Sequence, residues 1–166
     1  MPQLLNITTT AWLMVLTTTV LAATPPVEAT EPSPDLAPEE VVRMQVEWLR
    51  TNNADDQGIA QVFAFASPAN RAQTGPLDRF IAMVRSAPYA ALLGHRKARF
   101  GAIAMTATQA RQRVTIVTGN EKTRAFLWVL SRQTDDGCNG CWMTDAVIPL
   151  GQDDDADGID ASGTVT

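Results

Sequence analysis

The chain has one histidine, one tyrosine and two cysteines among its 166 residues, and no lysine or arginine precedes Arg43. A single histidine removes the two-histidine metal motifs and leaves any serine-histidine-aspartate set dependent on that one side chain. Two cysteines are too few for a domain stapled mainly by disulfides. Glycine-rich phosphate loops are missing as well. Excess positive charge is also absent: residues 35–151 hold 13 Lys and Arg against 11 Asp and Glu. The net charge of −5 comes from Glu28 and Glu31 near one end and from Asp153, Asp154, Asp155, Asp157 and Asp160 near the other. That balance excludes a nucleic-acid surface built on net charge.

What is present is enough apolar content, 45%, for one domain with a real core. The run "AWLMVLTTTVLAATPP" (residues 11–26) is uncharged and apolar, but short and threonine-rich for a membrane span. It reads as a signal peptide over residues 1–22, cleaved after Ala22, with small Val20 and Ala22 where a signal peptidase looks. The basic n-region is lacking, so an uncleaved anchor is the competing reading; cleavage implies a periplasmic or secreted protein with no stable membrane span. Residues 23–37, rich in Pro, Glu and Thr, are expected to be a flexible linker, and residues 152–166 a disordered acidic tail. Residues 38–151 form the domain.

Within the domain, "PEEVVRMQVEWLRTN" has Pro38 for the first turn, Glu39 and Glu40 at the positive end of the dipole, and apolar residues at helical spacing. A second helix is expected in "DDQGIAQVFAFAS", stopped at Ser67 by Pro68, and a third in "PLDRFIAMVRSA", led by Pro76. After His95 the period becomes strand-like. "ARFGAIAMTA", "RQRVTIVTG", "TRAFLWVLSRQ" and "CWMTDAVIPL" read as four strands, the third apolar on both faces, with turns at Gly119-Asn120 and Asp136-Gly137. The expected fold is α+β: three N-terminal helices packed on a curved four-stranded antiparallel sheet, a cone-shaped roll in which Trp48 faces Trp128 and Ile116.

"FAFASP" (Phe63 to Pro68), Gly75, "FIAMV" (Phe80 to Val84) with Tyr89 beyond it, and "LSRQTDDG" (Leu130 to Gly137) followed by Trp142 together resemble a bacterial family of domains of unknown function, number 4864. The resemblance covers about residues 38–151. It implies a layout similar to the cystatin-like roll of nuclear transport factor two and of ketosteroid isomerases, and it carries over no catalytic residue. The chain departs from the family pattern where a short "DGxW" turn becomes "DGCNGCW".

Cys138 and Cys141 in that insertion flank Asn139-Gly140, so the thiols sit at the mouth of a tight turn where they can meet. A structural disulfide is expected. Redox chemistry would need a helix N-terminus to lower a thiol pKa, and zinc would need two more ligands where only His95 exists besides carboxylates. No cofactor or metal is therefore assigned. In the tail, Asp153, Asp155, Asp157 and Gly158 match the opening of a calcium loop, but Thr164 stands where a bidentate Glu belongs, so a solvated tail is favoured. Lys97, Arg99, Arg111 and Arg113 fall on one outer face if the first two strands pair around Thr108, a solvated stripe or a dock for the tail or another anion.

The titratable residues that a pocket enzyme could use are Asp78, Tyr89, His95 and Asp145, each with a plain structural account. They read as a first-turn carboxylate, a core aromatic, a surface residue at strand entry and an outward strand position. Catalytic residues stay unassigned. The expectation is a binding or scaffold module for a small apolar ligand or a protein partner, with a homodimer left open; the alternative is a pocket-based hydrolase or isomerase.

Overall fold

The computed structural model describes residues 30–134 and 137–151. Helix α1 (Pro38–Arg50) begins as its sequence dictates, with Pro38 in the first turn and the Glu40 carboxylate accepting the Ala37 N–H at 2.9 Å. Its buried face consists of Pro38, Val41, Val42, Gln45, Val46 and Leu49. Leu36, within the segment expected as linker, packs against the same core. Helix α2 (Gln57–Ala64) buries Ile59 and Val62, and α4 (Leu77–Val84) buries Phe80 and Val84.

Between α2 and α4 lies a fourth helix, α3 (Pro68–Thr74), in addition to the three expected from periodicity. It has no buried residue, hence no apolar stripe for periodicity to detect. Local chemistry starts it instead: Ser67 Oγ accepts the Asn70 N–H at 3.2 Å, and Pro68 is pre-set for the first turn. A short 3-10 turn, Tyr89–Leu92, leads to Gly94, whose φ of +60° swings the chain so that its N–H meets Leu49 O at 3.3 Å.

The sheet is an antiparallel meander of β1 (Lys97–Met105), β2 (Gln109–Val117), β3 (Thr123–Arg132) and β4 (Trp142–Leu150), in the order β1-β2-β3-β4. It is open, with β1 and β4 at its edges, and the helices cover one face. Ala110, Gln112, Val114 and Ile116 alternate inward on β2, joined by Phe126, Trp128 and Leu130 on β3. Phe100 pairs with Val114 and carries the Arg43 guanidinium 4.7 Å over its ring. Two irregularities re-aim the edges: one in β1 between Phe100 and Ile103, the other in β4 opposite Val129 and Leu130, where Asp145 is the extra residue.

Trp48 is not the side chain that joins α1 to the sheet. It is half-buried and packs on Phe65 with ring centroids 5.2 Å apart. The sheet-facing position belongs to Gln45, fully buried, whose Oε1 accepts Trp128 Nε1–H at 3.3 Å while its Nε2 donates to Thr144 Oγ1 at 2.7 Å. Replacing it leaves two buried polar groups unpaired, each costing about 1–3 kcal/mol. Gln45→Leu, close in volume, is therefore expected to lower unfolding free energy by roughly 2–4 kcal/mol in urea denaturation, with about half of the loss recovered when Thr144→Val is added, because the Trp128 N–H stays unpaired.

At the far end of the helical layer, Arg85 clasps Asp56, with Nη2 to Oδ1 at 2.7 Å, linking the start of α2 to the end of α4. The Arg85 hydrogen bond, aided by one from Asn52, holds the Asp56 carboxyl below its ordinary range. The folded state thus favours the carboxylate. The stabilisation is complete above the ordinary carboxylate pKa of about 4 and is lost as acid takes the pH down through the depressed value. Melting temperatures of the native protein and Arg85→Ala should differ at neutral pH and converge in acid below that range.

Candidate pocket between the helices and strand four

The edge of β4 is covered by the α2–α3 junction, which satisfies backbone groups that an exposed edge would leave open. Thr144 is the centre of this junction. Its N–H donates to Phe65 O at 2.8 Å, and its carbonyl accepts from Ser67 N at 2.9 Å and from Asn70 Nδ2 at 3.0 Å. Its hydroxyl takes the Gln45 amide already described. Asn70 is fixed in turn by Thr74, whose hydroxyl lies 3.1 Å from Asn70 Oδ1.

Beside this network the layers do not close, and a pocket of about 170 Å³ remains. Leu49, Val62, Ala66, Phe80, Val84 and Leu92 supply apolar wall, and Gln45, Asn70, Thr74, Tyr89, Thr144 and Asp145 supply polar groups. Gln73 is exposed and Met83 half-buried, so the opening lies between α3 and α4. The Tyr89 hydroxyl donates to Val147 O at 3.2 Å, and its ring stacks on Phe126 at 6.4 Å. Asp145, projected by the β4 bulge, accepts the Ser131 hydroxyl at 2.8 Å, and Gln133 Nε2 in turn donates to that hydroxyl at 2.9 Å. The polar groups of the wall are thus largely paired with one another, which holds their geometry without a ligand.

Of the four titratable residues singled out from the sequence, the fold brings two together: Tyr89 and Asp145 both line the pocket. Asp78 is exposed in the first turn of α4 and does not line it. Asp145 is a half-buried bulge residue rather than an outward position in a regular strand. His95 corrects the expectation of a surface residue. It is only 3% exposed, because the Gly94 turn tucks it under the core, and its Nδ1–H donates to Leu92 O at 2.7 Å. A carbonyl can only accept, so Nδ1 carries the proton; among the described residues Nε2 has no hydrogen-bond partner.

Of the large aromatic residues, Phe80 walls the pocket, while Trp128 and Trp142 are buried in the sheet layer and Trp48 packs on Phe65. The aromatic volume goes into the sheet–helix layer, leaving the pocket empty. Gln45, Asn70 and Thr144 were missed by motif reading. Gln45 carried a signal: a polar residue in the middle of the apolar stripe of α1 must find buried partners.

The disulfide Cys138–Cys141 is formed, with Cα atoms 5.6 Å apart and Gly140 at φ +88°. Gln133 binds both ends of the loop, its N–H donating to Cys141 O and its carbonyl accepting from Gly140 N, each at 2.8 Å. Cys141 is fully buried. Closing so small a loop is worth about 2 kcal/mol on the chain-entropy model, so the bond rigidifies the β3–β4 connection more than it stabilises the domain. It lies beside a separate groove lined by Pro32, Arg71 and Met143. Among the described residues no three His, Cys, Asp or Glu side chains group as metal ligands, and no helix is long and apolar enough to cross a membrane. The calcium-loop candidate at Asp153–Thr164 lies outside the described residues.

No curated protein and no solved structure matches the chain. The family model described as Domain of unknown function (DUF4864) matches residues 34–151, which contain every element of the fold and every residue of the pocket, and the chain belongs to that family.

Proposed function

We propose that the domain is an exported binding module that takes a small ligand with an apolar body and one polar end into the pocket beside Thr144. The observation that carries this reading is the composition of the wall. Apolar side chains from α1, α2, α4 and the 3-10 turn face a short polar arc whose members are held by hydrogen bonds. Small-molecule sites combine an apolar cavity with a few placed polar groups in this way. The size limits the ligand: a cavity of about 150 Å³ admits a benzene-sized molecule. Asn70, Thr74 and Asp145 would meet the polar end, a hydroxyl, amide or ammonium group that donates hydrogen bonds to carboxylate and amide oxygens.

Export is part of the proposal. It rests on the apolar segment before residue 23 and on a disulfide of the kind that persists in oxidising compartments. The mass of the protein purified from its own host should correspond to a chain starting at Ala23; a mass that retains residues 1–22 would remove this part.

A pocket isomerase or hydrolase is the second reading, favoured by one observation, that Asp145 and Tyr89 both belong to the lining of one cavity. Binding and catalysis separate in a single series. Small acids, amides, amines and alcohols of six to ten non-hydrogen atoms are titrated while the amide signals of Asn70, Thr144 and Val147 are followed. At a hundredfold excess over Kd a bound fragment should raise unfolding free energy by about 2.7 kcal/mol. Met83→Trp, which fills the opening, should abolish the shifts with the fold intact. A set in which nothing moves these signals at millimolar concentration would refute the binding reading, and conversion of a bound fragment that ceases in Asp145→Asn would replace it with the catalytic one.

A further inference from the structure

The face of the sheet away from the helices has two unlike halves. Register places Arg99 opposite Thr115, and Arg111 and Arg113 opposite Val129 and Leu127, so these side chains share the outer face with Lys97. Next to them, on the β3–β4 side, lie Leu127, Val129 and Ile148, the last 44% exposed. A row of cations thus borders an apolar stripe, and among the described residues no carboxylate pairs with Lys97, Arg99 or Arg111.

We propose that this face is a dock whose occupant is the chain's own acidic segment, residues 152–166. Charge is the first argument. The five carboxylates of Asp153, Asp154, Asp155, Asp157 and Asp160 complement the charge of Lys97, Arg99 and Arg111, and Ile159 and Val165 would supply apolar groups for the neighbouring stripe. Position is the second. Leu150 pairs with Ala125, Ala125 with Thr115 and Thr115 with Arg99, so the chain leaves β4 in the same cross-strand row as Arg99. Three strand spacings separate them, about 14 Å at about 4.8 Å each. Asp153 to Asp157 lie three to seven residues past Leu150, a reach of about 10–23 Å when extended. A second copy of the chain is the less favoured occupant, because face-to-face pairing would bring rows of like charge together.

The test compares the full chain with a chain ending at Gly151, both isotope-labelled, at 20 and 500 mM NaCl. Docking predicts that amide signals of Arg99, Arg111 and Thr115 differ between the two chains at low salt. The spectra should converge at high salt, where the screening length falls to a few ångströms. Arg99→Glu combined with Arg111→Glu, both exposed positions, should make the full chain resemble the shortened one at low salt while leaving the Thr144 signals unchanged. Coincident spectra of the two chains at low salt would overturn the proposal. So would a dimer that persists in the shortened chain with outer-face signals broadened, since a second copy would then be the occupant.

Discussion

The constraint on which the rest depends is the satisfaction of one buried amide. Gln45 sits in the apolar face of α1, where an unpaired polar group costs more than most single contacts return. Only one placement of the helix lets its oxygen receive Trp128 and its nitrogen reach Thr144. Hydrophobic burial would hold α1 against the sheet in several nearby positions. The two directional bonds select among them, so the amide contributes register where the valines and leucine contribute attraction.

From that placement the pocket follows. Thr144 is shared by α1, the α2–α3 junction and β4, and once α1 is set on it the short helix α3 is drawn over the β4 edge through Ser67 and Asn70. The β4 bulge at Asp145 is next in the chain, and Tyr89 is pinned two residues further along at Val147. Groups that make the polar arc of the cavity are thus the same groups that protect a sheet edge. The two sides of the sheet divide the work. One holds the cavity under the helices, while the other presents the cations of β1 and β2 beside the apolar residues of β3 and β4.

Much of the architecture was legible in the residues. The change of hydrophobic period after His95 located the boundary between helices and strands, and the alternation in β2 identified its inner and outer faces. The Asn139-Gly140 dipeptide between two cysteines indicated the disulfide. What escaped were features with no periodic or compositional mark. Helix α3 buries nothing and is held by a cap and a side-chain bond to β4. His95 looked like a strand-entry residue because its burial depends on the positive φ of the preceding glycine and on where α1 ends.

Sequence alone determined the α+β class, the antiparallel meander, the inward and outward residues of its central strands and the family, because these depend on local periodicity and on order along the chain. Tertiary structure decided that Gln45, Asn70, Tyr89, Thr144 and Asp145 meet at one cavity and that Asp78 and His95 do not. Such meetings depend on how far each helix slides over the sheet and where a strand bulges. Those quantities are set by hydrogen bonds between residues up to 99 positions apart, and no local pattern encodes them.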